Sequence, residues 1–401
     1  MDPDLRIERK LAIGTPFEDW TSSMHYYDKA GWIYVVGSTR RSGEWHPFLI
    51  VVDRELSEVI TNIYLPLTVK ESKEKPLCGI YVDSPGVYMT VRPVYIMKLN
   101  HYAEICDVAV VTLAGKESVI WGFDARGSTL FTSHGTLLCK IQDLGQSLKL
   151  KWALRSKSPT FGRLRVYGNR VYSAQGVKDK ASILVSSVYD EGSMGVFEWG
   201  KIIHIRDETC KSVEVGPNGM YVGREGLYIA CGLCKDRRVL VLKMTREGDI
   251  AWARMIDFKR GKASIYGIHV SSGKVFVVGK RDSDGVLIIM DESRGDLIKT
   301  VAFPYSGLTD VTYQDKHLLI AGVTWNLSVV DDMFDISAEA YPVEVSVEDV
   351  KMQITPTTAA SLKHLDSVKQ RQDCTSERPS LRSWQTGDND VLLLRILLNS
   401  S

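Results

Sequence analysis

The stretch "GWIYVVGSTRRSGEWHPFLIVVDRELSEVITNIYLP", residues 31–66, reads as three β-strands separated by turns. An aromatic and β-branched run closes on Gly37, a polar turn follows, and two more apolar runs come after it at 47–52 and 59–65. Short apolar runs bounded by polar and glycine clusters are the pattern of strands in hairpin succession. A glycine at a strand end marks a bulge or a close backbone approach.

The same phrase returns along the chain. "GKVFVVGKRDSDGVLIIMDESRGDLIKTVAFP" (273–304) and "EGLYIACGLCKDRRVLVLKMTREGDIAWARMIDF" (225–258) repeat it whole, and 169–202 and 128–154 carry weaker copies. The closing glycines are Gly37, Gly135, Gly176, Gly232, Gly279 and Gly322, spaced by 98, 41, 56, 47 and 43 residues. The wide gap holds a copy without the glycine, "GVYMTVRPVYIMKLNHYAEICDVAV" (86–110). One further short strand precedes most copies: "SMHYYD" (23–28), "CGIYVD" (78–83), "SVIWGF" (118–123), "RLRVYG" (163–168), "IYGIHV" (265–270) and "TDVTYQ" (309–314). Four strands recurring at a period of roughly 40–50 residues are the signature of propeller blades. The expectation is an all-β chain, a seven-bladed β-propeller of four-stranded antiparallel blades. A pair of β-sandwich domains is the alternative.

The stretch "DNDVLLLRILLNSS" (388–401) matches the third strand of the phrase, and "PDLRIERKLAIG" (3–14) matches the fourth. The last blade is therefore expected to be closed by the N-terminal strand, which removes free sheet edges. Between them lies 325–386, acidic at first and then rich in Thr and Ser. Within it "TPTTAASLKHLDSVKQRQ" (355–372) reads as a helix, with Pro356 in its first turn and basic residues late. The division is 1–324 propeller, 325–386 an irregular or helical insertion serving as lid, arm or belt, and 387–401 propeller again. An eighth blade using "NLSVVDDMF" as a strand is the alternative reading of the insertion.

Order and spacing in "ERKLAIGTPFEDWTSSMHYYDKAGWIYVVGSTRRSGEWHPFLIVVD" (8–53) resemble prokaryotic β-propeller repeat proteins of the Trp-x-Lys-Thr-Tyr-Gly-Gly type, Kelch-like in arrangement. The Trp-Lys-Thr-Tyr segment is degraded almost everywhere. The resemblance implies the fold and carries no catalytic residue, because such repeats share no common site. "EGDIAW" resembles quinoprotein repeats weakly, and Trp152, Trp199 and Trp252 in fourth strands read as blade packing.

Composition bounds the function. With 50 Lys and Arg against 49 Asp and Glu, the 401-residue chain has a net charge of +1 and lacks the footprint of a dedicated nucleic-acid binder. No apolar run reaches membrane-spanning length, and the first residues do not read as a secretory signal, so a cytoplasmic, monomeric protein is expected. Seven dispersed cysteines do not form a disulfide framework. Asn and Gln total only 15, which suggests a thermophilic source.

Candidate sites are few. Inner strands line a propeller's channel, and theirs carry His25, Tyr26, Tyr81, Trp121, Arg165, Tyr167, His269 and Tyr313. These are the candidate ligand-binding residues, since aromatics beside a few polar groups suit a pocket. Cys231 and Cys234 form a lone "CGLC" that lacks the further ligands zinc needs. Asp331, Asp332 and Asp335 do not match a calcium loop. "STRRSG" (38–43) and "FKRGKAS" (258–264) lack the context of a phosphate cradle. No catalytic residue, metal site or cofactor is assigned. The expected function is a non-catalytic scaffold binding protein partners through one face and the 325–386 insertion. A propeller hydrolase or lyase working at the channel mouth is the alternative, and nucleic-acid association a weaker one.

Overall fold

The computed structural model describes residues 4–14, 18–41, 43–65, 67, 78–178, 180–207, 209–233, 237–365 and 390–399. Among them the structure is β throughout, apart from one 3-10 turn at Leu327–Val329. The arrangement is that of a β-propeller: successive antiparallel sheets stand around an axis, each with its first strand innermost. Runs such as Val286–Met290 are fully buried because both faces of the sheet pack on neighbours. One interface joins Tyr34, Val36, Leu49 and Val51 to Val87, Met89, Met97 and Val108 of the next sheet.

The expected seven separate blades are not what is seen. The strands form five sheets of four to six strands and a sixth sheet of ten. In the ten-stranded sheet, Val213–Gly223 and Ala263–Ser271 are joined side by side by a parallel bridge between Asn218 and Gly267. The cause is local. Val215 faces Cys231 and Met220 faces Ile229, so "GPNG" (216–219) bulges out of the innermost strand and reaches its neighbour.

The two ends of the chain meet in one sheet, ordered Ser306–Gln314, His317–Thr324, Asp390–Asn399, Asp4–Ile13. Leu5 pairs with Leu398 and Ile13 with Val391, with a one-residue bulge at Glu8 between them. That bulge switches faces. Leu5 and Ile7 pack toward Phe276 and Leu287, whereas Leu11 and Ile13 pack toward Met24 and Val35 on the other side. Every comparable outer-strand pairing carries such a shift, at Ile60, Cys106, Lys151, Glu198, Ala251 and Ile298. A bulge raises the local twist, and here it lets one strand serve two interfaces.

Buried charge ties sheet to sheet. Asp143, at the end of one third strand, accepts from Tyr88 Oη at 2.7 Å and from Lys98 Nζ at 2.8 Å, both in the preceding sheet. Lys140 pairs with Asp190 at 2.7 Å, where Trp152 Nε1 also donates at 3.1 Å. Trp252 Nε1 donates to the Glu292 carbonyl at 3.1 Å, and Trp199 packs on Tyr172. The fourth-strand tryptophans thus lie between sheets. Asp143→Ala strands a buried ammonium and a buried phenol. Its expected cost is about 3–5 kcal/mol, seen as a lower urea midpoint, and a loss below about 1 kcal/mol would contradict the assignment.

Among its described residues, 325–365, the insertion forms neither an α-helix nor an eighth blade. "TPTTAASLKH" (355–364), expected as helix, holds parts of two strands, Ile354–Pro356 and Ala360–His364. Residues 366–372 of that expected helix lie outside the described residues. Ala360 and Leu362 instead pack against one inter-sheet core. Five short strands run backward around the ring: Phe334–Asp335, Glu339–Pro342, Val345–Asp349, Ile354–Pro356 and Ala360–His364. Each adds antiparallel to the outermost strand of successive four-stranded units, ending beside Ile105–Leu113. A belt of this kind covers edges that would otherwise recruit foreign strands.

The acidic composition of the belt now has a partner. Asp331 pairs with Lys10, Asp335 with Lys299 at 3.5 Å, Glu339 with Lys259 at 2.5 Å and Glu344 with Arg206. Glu348 meets His204 at 3.2 Å, and Asp349 lies 3.8 Å from Lys201. Each pair is exposed and individually weak, so together they set register more than they add stability.

Candidate functional site: the central cavity

The inner strands enclose a cavity of about 720 Å³. His25, Tyr26, Tyr81, Trp121, Arg165, His269 and Tyr313 all line it. Tyr167 does not, and packs under Arg246 instead. Trp121 was expected within an inner strand. That strand begins only at Gly122, so Trp121 sits on the loop entering it and is 46% exposed.

The lining is partly structural. His25 meets Tyr81 edge to face at 5.1 Å, and His269 meets Tyr221 in the same way at 5.1 Å. Burial lowers both imidazoles to about 4, which keeps them neutral at pH 7. Tyr313 stacks on Phe276 at 5.8 Å. Tyr26 also borders a small side pocket with Arg54 and Asp315.

Three polar residues of the cavity escaped the sequence reading. Asp310 is buried and accepts from Ser23 Oγ at 3.0 Å, the Met24 amide at 2.9 Å and its neighbour Val311 at 2.9 Å. Burial raises its carboxyl to about 6 despite those donors. Its place is the seam between the sheet holding both chain ends and the sheet that follows. Asn218, on the bulge, donates to the Ser22 carbonyl at 2.9 Å and the Thr309 carbonyl at 3.3 Å. It reaches across the axis and ties three inner strands together. "TDV" and "GPNG" carried no motif signal for either residue, although the glycines framing Pro217 and Asn218 mark a break in strand pattern.

The third is Arg163, two residues before Arg165 on the strand Arg163–Tyr167. Residues at i and i+2 of a strand share a face, and both arginines line the cavity while Leu164 between them is buried. Arg163 donates to the Trp121 carbonyl at 2.7 Å, and Arg165 to the Leu164 carbonyl at 3.0 Å. Burial first, and the Arg92 charge second, pull the Arg163 guanidinium down to about 10. Arg92 itself lies 4.5 Å over the Trp121 ring. A second cleft of about 490 Å³ shares Trp121 and Arg163 with the cavity and adds His134, Gln175 and Glu214.

The other candidates are not brought to this site. Cys231 is fully buried, with its thiol pushed up by burial, and Cys234 lies outside the described residues. Asp331 and Asp335 are engaged on the belt, and among the described residues no group of three His, Cys, Asp or Glu is placed to hold a metal ion. Of the basic loop 258–264, Lys259 is paired with Glu339. Among the described residues no helix is long and apolar enough to cross a membrane.

No family model matches the chain, and no curated protein matches it. Among solved structures, the computationally designed Ika8 protein is 12% identical, with a TM-score of 0.47, over 81% of this chain and 96% of that one. Apo AztD from Citrobacter koseri is 10% identical, with a TM-score of 0.39, over 82% and 89%. Myxococcus xanthus glutaminyl cyclase is 14% identical, with a TM-score of 0.28, over 48% and 75%. At these scores none bears on what this chain does.

Proposed function

We propose that the protein is a non-catalytic β-propeller acting as a protein-interaction scaffold, with the mouth of the central cavity as its binding face. The observation that carries this reading is Trp121, a large aromatic left 46% exposed at the cavity opening with Arg92 over its ring. Exposed Trp and Arg side chains at a concave opening are the residue types that dominate binding energy at interfaces. The described part of the insertion, up to residue 365, pairs with the ring's own edges, and we assign that part a bracing role.

The test is a comparison of baits expressed in the native cell. Partners retained by the parent protein should be lost from Trp121→Ala and kept by Tyr102→Ala, which truncates an aromatic that is 78% exposed elsewhere. Identical partner sets for all three baits would overturn the reading. The enzymatic alternative draws on one observation: Asp310, held near 6, faces the same cavity as neutral His25 and His269. Perturbed groups in a cleft are a mark of active sites. All of the Asp310 contacts, however, are to the backbone and hydroxyl of its own seam.

A further inference from the structure

We propose that Arg163 and Arg165 form an anion-binding site inside the central cavity, which takes the carboxylate or phosphate group of a small molecule. The inference rests on the cavity being the working site and is independent of which partner docks at its mouth. Among the described residues no carboxylate lies within ion-pair distance of either guanidinium. Each spends a single hydrogen bond on a backbone carbonyl, out of five N–H donors.

The nearby acids act on the pair without a direct ion pair: Glu214 acts on Arg163 at longer range. Asp124 and Asp310 act on Arg165 only at longer range. The Asp124 carboxylate is taken by the Val166 amide at 2.7 Å, and Asp310 by its three donors. Two guanidinium groups on one strand face thus present unspent N–H donors to a half-enclosed space. Guanidinium forks bind carboxylate and phosphate with two parallel hydrogen bonds. Arg224, exposed and paired only with Glu225 at 3.9 Å, is the natural control.

The experiment is calorimetric titration of the full chain at low ionic strength with inorganic phosphate and, separately, with citrate. Saturable binding of at least one probe is expected, weakened roughly tenfold or more in Arg163→Gln and in Arg165→Gln, and unchanged in Arg224→Gln. Arg165→Lys should retain an intermediate affinity, and melting curves of each variant establish that it is folded. Binding of phosphate alone assigns a phosphate ligand, and binding of citrate alone a carboxylate. No saturable binding of either probe, or binding equal in all variants, overturns the proposal. The two readings fail separately, because Trp121→Ala reads partner retention and the arginine variants read anion affinity.

Discussion

Deleting residues 1–13 should leave a protein that no longer melts cooperatively near the temperature of its parent. The strand Asp4–Ile13 is the outer strand of the sheet that joins the chain's two ends. Its removal takes away buried Leu5 and Ile13 and half-buried Ile7 and Leu11. At roughly 1.5–3 kcal/mol for each fully buried side chain, and less for the other two, the loss is about 5–8 kcal/mol. That is comparable with the entire stability of a typical domain, about 5–15 kcal/mol. The deletion also turns Asp390–Asn399, with Val391, Leu392, Leu393, Leu394 and Ile396 buried, into an edge strand facing water. Circular dichroism melts are the check. An unchanged melting temperature would show that the ring does not depend on this closure.

The second large effect is acid sensitivity above pH 4. Burial lowers His25, His134 and His269 from the ordinary 6.5 to about 4 in the folded protein. The unfolded chain therefore binds more protons between these values, and stability falls as pH drops from 6.5 to 4. Each histidine contributes about 3 kcal/mol to that fall. Asp310 works the other way, because its carboxyl is raised to about 6 and the folded state gains stability as pH drops from 6 toward 3.8. It offsets about 3 kcal/mol, and Asp124 and Asp390, also raised by burial, act in the same direction. The three histidines together exceed the Asp310 offset, and the expected direction is a loss of stability toward acid.

The geometry of His134 supports its share. Nδ1–H donates to the Ser118 carbonyl at 3.1 Å and Nε2 lies 2.9 Å from the Thr132 hydroxyl, so the neutral ring is satisfied on both sides. Urea midpoints at pH 7, 5.5 and 4.2 should decline steadily, and His134→Asn should reduce the decline by about 3 kcal/mol. A profile level across this window would refute the account.

Much of the architecture is legible in the residues. Runs such as "VFVVG" and "VLIIM" announce strands buried on both faces, and the likeness of "PDLRIERKLAIG" to fourth strands finds the closure. The belt escapes because its strands are two to five residues long, mostly exposed and anchored by backbone pairing, which leaves no period in the side chains. "TPTTAASLKHLDSVKQRQ" even imitates a helix, since Leu362, Leu365 and Val368 sit three apart. The blade count fails for a related reason. A fusion made by a single bridge at Asn218 depends on where a bulge points, and a bulge is invisible to composition. The inner-strand aromatics could be placed at the cavity because strand order dictates who faces the axis. Arg163 could have been added from "RLRVY", where it shares a face with Arg165. Asp310 and Asn218 could not, because their roles come from contacts across the ring.

The belt also sets a clock. Thr112 receives its partner Ser361 from 249 residues further along the chain. At synthesis rates of about 5–20 residues per second, the outer edge containing Thr112 stays unpaired for roughly 12–50 s after it is made. Later sheets wait for shorter times, because the belt returns to them first. Of the edges the belt covers, this earliest-made one is the longest exposed on the ribosome, and "CDVAVVTL" (106–113), an apolar strand with a single charge, is the belt-covered segment most open to wrong pairing during that interval.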